Sequence, residues 1–131
     1  MTPTVSLKPG RARSARQRHP WLFAGALQHV PGEAADGSTV RVVDEDGQFV
    51  GWGYLNRASQ IAVRLVSWEE TEPPDESLLF RRLQRALAWR RRCYGWPPAG
   101  AARLAYAESD GLPGLIVDRY ADWLVVQFLT L

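Results

Sequence analysis

The stretch Glu108-Ser-Asp-Gly-Leu-Pro-Gly-Leu-Ile-Val-Asp-Arg-Tyr120 restricts the fold of this chain more than any other. Asp110-Gly111 and Pro113-Gly114 are two turn dipeptides within five residues. Each glycine is free to take a positive φ, so the backbone can reverse there before it extends. Leu115-Ile116-Val117 then reads as the start of a buried strand. Tyr120-Ala121-Asp122 turns it into a second apolar run, Trp123 to Leu131, and a β-hairpin is expected over 115–131. That run carries no polar tail, and the sequence reads as a fragment of a longer protein.

Upstream, Leu79, Leu83, Ala86, Leu87 and Tyr94 keep three-to-four spacing while Arg81, Arg85 and Arg92 share another face. This periodicity predicts a helix over 76–94. Asp75 and Glu76 at its start and Arg90 to Arg92 near its end suit the macrodipole. Gly95, Pro97-Pro98 and Gly100 stop it. A short strand is expected over 104–107. Glu108 and Asp110 invite an acid–base reading. No nucleophile–His pair and no metal ligands accompany them, so Asp110 reads instead as an Asx-type turn former, and a self-contained hydrolase is disfavoured.

The first half reads as β. Residues 4–8 alternate and end at Pro9-Gly10. Residues 11–18 suit about two turns of solvent-facing helix, ended by His19-Pro20 because a proline biases its predecessor out of the helical region. Trp21 and Phe23 are expected to anchor the following segment in a core, with stacking on bases as the alternative. Pro31-Gly32 and Asp36-Gly37 punctuate a loop. The runs 38–44 and 48–55 flank Asp46-Gly47, a hairpin turn signal. Gly51 and Gly53 alternate with Val50, Trp52 and Tyr54, which marks a bulge or a close backbone approach. Residues 61–66 alternate in turn. Several short strands with one helical piece describe a small β-barrel or half-barrel. Residues 67–77, with Pro73-Pro74 and five acids, read as a linker.

Cysteine and charge narrow the chemistry. A single cysteine, Cys93, allows no internal disulfide and points to the cytoplasm. With only His19 and His29 beside it, a zinc site is not expected. No run approaches the ~20 apolar residues of a membrane span, and no signal peptide follows Met1. The net charge of +2 hides a segregation: Lys8, Arg11, Arg13, Arg16 and Arg18 fall within eleven residues that contain no acid. Fifteen of the sixteen basic residues are Arg, the side chain suited to bidentate phosphate contact and stacking on bases. Biased genomic base composition would give the same preference. The basic segment beside His19-Pro-Trp-Leu-Phe23 is nonetheless the strongest nucleic-acid signal in the chain, because cations supply affinity and planar groups stack unpaired bases. A solvated helix face is the alternative reading.

Three motifs occur in order: Lys8-Pro-Gly-Arg…Arg18-His-Pro-Trp-Leu-Phe-Ala-Gly-Ala26, Gly53-Tyr-Leu-Asn…Ala58-Ser-Gln-Ile61, and Glu108 to Tyr120. With them the chain resembles the N-terminal part of the bacterial S-adenosylmethionine-dependent methyltransferases that make 5-methylcytosine in large-subunit ribosomal RNA. The resemblance implies an α+β fold: a PUA-like β-pseudo-barrel over 3–68, an acidic linker over 69–77, and over 78–131 a helix plus β-hairpin opening a truncated small α/β domain. The methyltransferase domain, with its S-adenosylmethionine site and catalytic cysteine, would lie beyond Leu131. No catalytic or cofactor residue is carried over, and Cys93 does not match the family nucleophile. The RNA-facing surface implied for the first module comprises Lys8, Arg11, Arg13, Arg16, Arg18 and His19. The strand region with Tyr54, Arg57 and Gln60 forms a second edge. Ribosomal RNA is the implied partner, no metal or membrane is, and a second copy of the chain is allowed. The rival reading is a free-standing PUA-like RNA-binding adaptor whose hairpin pairs with another chain.

Overall fold

The computed structural model describes residues 2–96 and 100–131. The Pro97-Pro98 helix stop lies outside the described residues. The chain divides into two compact units, the first running to Pro74 and the second spanning Asp75–Thr130.

In the first unit, strands β1 (Thr4–Leu7), β2 (Trp21–Phe23), β3 (Leu27–His29), β4 (Thr39–Val43), β5 (Phe49–Leu55) and β6 (Ile61–Ser67) form one sheet. Their order is β2-β6-β5-β4-β1-β3. β1 runs parallel to β4, and every other pairing is antiparallel. The order carries its own geometric consequence. β2 and β3 are the two ends of the sheet, yet a single 3-10 turn, Ala24–Ala26, separates them in sequence. Laid flat, the end strands of a six-stranded sheet would sit about 24 Å apart at ~4.8 Å per gap. The step from Phe23 to Leu27 reaches only about 14 Å. The sheet therefore has to curl until its ends meet.

The inside of that curl is filled by Val5, Leu7, Leu22, Val40, Val42, Val50, Leu55, Val63 and Leu65, joined by Ala12, Ala15 and Ala34. Five valines and four leucines make up its strand positions, and the β-branched valines suit closely paired, half-buried strands. Gly53 fits the same economy of space. A Cβ there would stand 2.6 Å from the Arg64 carbonyl oxygen and 2.7 Å from Val63 Cγ1. The pairing of β5 with β6 also slips between Trp52 and Gly53. The glycine–aromatic alternation thus marks both a bulge and a close approach.

Helix α1 (Arg13–Arg16) is one turn, not the two turns the sequence suggested. It lacks a side-chain N-cap. Arg18 ends it by taking a left-handed φ of 69°, one residue before His19-Pro20 could act. Buried Ala12 and Ala15 seat the turn on the curled sheet, and Trp68 Nε1 donates to the Ala15 carbonyl at 2.6 Å, beside the Arg18 N–H that the same carbonyl accepts at 2.9 Å.

The second unit pairs helix α2 (Glu76–Tyr94) with an antiparallel meander of β7 (Ala101–Tyr106), β8 (Leu115–Tyr120) and β9 (Trp123–Phe128). Asp75 caps α2 by accepting the Leu78 N–H at 2.7 Å, and this bond holds its carboxyl below the ordinary value of 3.8. β7 starts three residues before the expected strand. Gly111 (φ 69°) and Gly114 (φ 77°) both adopt left-handed backbone, as the turn dipeptides required. Asp110 is not a local turn former. Its carboxylate accepts two bonds from Arg90, at 2.6 and 2.7 Å, and the Tyr106 N–H at 2.6 Å. It is a carboxylate taken up in fixing α2 to the turn Ala107–Asp110. β9 is exposed along its whole length.

Candidate nucleic-acid interface

The basic residues of the first unit divide by partner. Arg16 pairs with Asp44, a carboxylate that is 8% exposed and also accepts the Asp46 and Gln48 N–H groups. Arg18 lies 3.3 Å from Glu69 and stands 5.4 Å over the Trp68 ring. Arg57 donates to the Pro31 and Ala34 carbonyls at 2.7 and 2.6 Å and pairs with Asp36 at 3.2 Å. It braces the 31–36 loop. Lys8 Nζ donates to the Gly25 carbonyl at 3.0 Å. Arg11 and Arg13 differ: both are exposed, and among the described residues neither has a carboxylate within ion-pair distance. The acid-free run in sequence thus becomes a mixed surface, in which Arg11 and Arg13 keep their charge available.

His19 has a structural job, since its Nδ1 accepts the Trp21 N–H at 3.2 Å. That bond places the proton of a neutral imidazole on Nε2. Its ring meets the Trp21 ring edge-on at 5.8 Å. Gln60 is exposed in the turn before β6, and its carbonyl accepts the Ala24 N–H at 3.0 Å. Tyr54 is half-buried on β5, directly across from Arg64 of β6, which in turn faces Trp21 of β2. A row Tyr54–Arg64–Trp21 therefore crosses three strands on the outer face, with the Arg64 guanidinium 5.9 Å from the Trp21 ring centroid.

Trp21 and Phe23 do not anchor a core. β2 is a strand, so its side chains alternate. Leu22 takes the inside at 2% exposure, leaving Trp21 and Phe23 outside at 37% and 50%. Each forgoes part of the roughly 1.5–3 kcal/mol that full burial of a large apolar side chain provides. Together with Arg11, Ser14, Gly25 and Ala26 they line an open depression of about 270 Å³. Ser14 and Arg64 were absent from the sequence-derived surface, and Trp21 and Phe23 entered it only as the alternative to core packing. The available signal was the single apolar Leu22 between two aromatics, which a strand reading converts into one ring-bearing outer face.

The second unit uses several arginines structurally. Arg90 is held by Asp110, and Arg82 donates to the Gly111 carbonyl. Arg103 grips Asp118 across the β7–β8 pairing at 2.8 and 3.0 Å. The Arg103 guanidinium holds the Asp118 carboxyl below the ordinary carboxylate range. Among the described residues no three His, Cys, Asp or Glu side chains gather as a metal site, and no helix is long and apolar enough to cross a membrane.

The curled sheet with its appended single turn defines a known class. Residues 5–68 match the family model of the PUA-like domain, so the first unit is a PUA-like domain. Over 130 residues the chain is 42% identical to the ribosomal RNA large subunit methyltransferase I of Shewanella amazonensis, covering 99% of this chain and 33% of that protein. The protein of the same name from Salmonella arizonae is 39% identical over 98% of this chain and 32% of its own length. The chain thus spans about a third of the length of the curated relatives it matches. In fold it superposes on a Streptococcus mutans protein assigned to the SAM-dependent methyltransferases, with TM-score 0.80 and 16% identity over 99% of this chain and 33% of that one. A second solved protein assigned as a methyltransferase, in complex with SAH, gives TM-score 0.75 and 18% identity over 100% and 33%.

Proposed function

We propose that this chain is the RNA-recognition region of an S-adenosylmethionine-dependent methyltransferase that modifies a cytosine C5 in large-subunit ribosomal RNA in the cytoplasm. The observation that carries the reading is the outer face of the PUA-like domain. There Arg11 shares a depression with the exposed rings of Trp21 and Phe23, Arg13 stands exposed on the α1 turn, and neither arginine has a carboxylate partner among the described residues. Cations of this kind neutralise phosphates, and rings of this kind stack on bases. Similarity over nearly all of this chain to about a third of the length of ribosomal RNA methyltransferases supports the substrate class.

The chain's own residues do not fit the cofactor. Within the second unit the sheet is wholly antiparallel, and α2 precedes its strands instead of following one. The crevice of a parallel strand–loop–helix unit, where nucleotide-like cofactors bind, is not formed by these elements. On this reading S-adenosylmethionine and the methyl-transfer chemistry fall to the part of the protein that this chain does not span.

Fluorescence anisotropy with ribosomal RNA fragments tests the reading. Affinity should fall steeply between about 50 and 200 mM salt, and Arg11→Gln with Arg13→Gln should flatten that dependence. Salt-independent binding, or an unchanged slope in the double variant, would refute it.

A further inference from the structure

We infer that the depression between α1 and β2 holds one unpaired nucleobase of the bound RNA, stacked against Trp21 and Phe23, with an adjoining phosphate on Arg11. The inference rests on the RNA-binding reading above and assigns it a local form, single-stranded over duplex. Four features of the depression support it.

The first is chemistry. Its lining contributes two aromatic rings, one guanidinium, one hydroxyl, Leu22 between the two rings in sequence, and the small residues Gly25 and Ala26, with no carboxylate. A partner that matches must bring a flat apolar surface beside a negative charge. A ribonucleotide does so within one residue. The second feature is space, since a Cβ built on Gly25 would meet nothing within 4 Å. A planar ring can therefore lie over bare backbone there.

The third is preorganisation. The Trp21 ring is flanked by His19 edge-on at 5.8 Å and by the Arg64 guanidinium at 5.9 Å, and its backbone N–H is tied to His19 Nδ1. A ring already held in place loses little freedom when a base docks on it. The fourth is context. Arg13, exposed on the same single turn as Ser14, adds a second cation close by in the chain. A base inside a duplex presents only its edges, whereas an unpaired base exposes the face that stacking requires.

The test compares an RNA hairpin with an unpaired loop against a blunt duplex of the same composition, both titrated with the chain at equal ionic strength. Wild type should favour the looped RNA by about tenfold, the scale of one base–ring stack. Trp21→Leu with Phe23→Leu keeps apolar volume and removes the rings. It should bring the two RNAs within about twofold of each other and leave the salt slope intact. A 5-iodouridine in the loop, photocross-linked to wild type, gives a readout that no folding defect can confound. The link should fall on the tryptic peptide His19–Arg41, which carries both rings. Equal binding of loop and duplex by wild type, or cross-links confined to other peptides, would overturn the inference while leaving the RNA-binding reading standing. Loss of salt-dependent RNA binding altogether would remove both.

Discussion

Arg90 sets two guanidinium nitrogens against the two carboxylate oxygens of Asp110, at 2.6 and 2.7 Å, across twenty residues of chain. Both side chains are nearly buried, at 13% and 12% exposure. A buried pair is costly to break one-sidedly, because the surviving charge is left without compensation. Asp110→Asn should therefore destabilise the second unit by roughly 3 kcal/mol, read from urea denaturation. Arg90→Met with Asp110→Leu should cost clearly less than the two single changes summed. Additivity of the two would show that the pair is not coupled.

Gly53 makes a sharper steric prediction. Its added Cβ would meet backbone oxygen at 2.6 Å, and neither β5 nor β6 can withdraw without losing core contacts. Gly53→Ala should cost at least about 2 kcal/mol. Gly25→Ala, placed where a Cβ meets nothing within 4 Å, should stay within about 0.5 kcal/mol. Thermal melts of the two variants side by side decide the matter.

Acid should loosen the second unit in a defined direction. Asp118 and Asp75 both sit below the ordinary value of 3.8 in the folded chain, through Arg103 and the Leu78 N–H respectively. A depressed carboxylate contributes stability that is whole above its unfolded value and is lost as pH falls through its folded value. Stability of this unit should hold down to about pH 4 and decline below it. Asp118→Asn should lower the plateau and flatten the decline. Amide signals of β8 followed through an acid titration report it.

Arginines of one sequence class should separate by role. Arg57→Gln removes a donor from the Ala34 carbonyl and from the Pro31 carbonyl, which keeps the Ala34 N–H, and should cost about 1 kcal/mol of stability. Its RNA salt slope should not change. Arg11→Gln with Arg13→Gln should do the reverse, keeping stability within about 0.5 kcal/mol and lowering the salt slope by about 1 to 2. Equal effects of both sets on the slope would contradict the division drawn here.

Much of the fold was legible because its cues are local. The Asp46-Gly47 turn, the β4–β5–β6 meander, the α2 periodicity and the Asp110-Gly111-Leu-Pro-Gly114 turn each sit within a few residues of their effect. β2 and β3 are not legible in the sequence because three residues carry too few alternations to mark a strand. The outward aim of Trp21 and Phe23 followed from that miss, since without a strand there was no reason to send Leu22 alone inward. Ion pairing is illegible for another reason. Arg16 finds Asp44 across 28 residues and Arg18 finds Glu69 across 51. An acid-free run therefore says nothing about which cations the fold neutralises.

The link Ala24–Ala26 acts as a ruler for the PUA-like domain. Its length sets how far apart the first and last strands can stand, and so fixes the circumference around which the remaining four must fit. Flexible residues inserted there would release that tether and let the ring spring open into a ribbon. The same few atoms carry Gly25 and the neighbours of Trp21, so whatever fixes the girth of the domain also fixes the outline of the depression beside those rings.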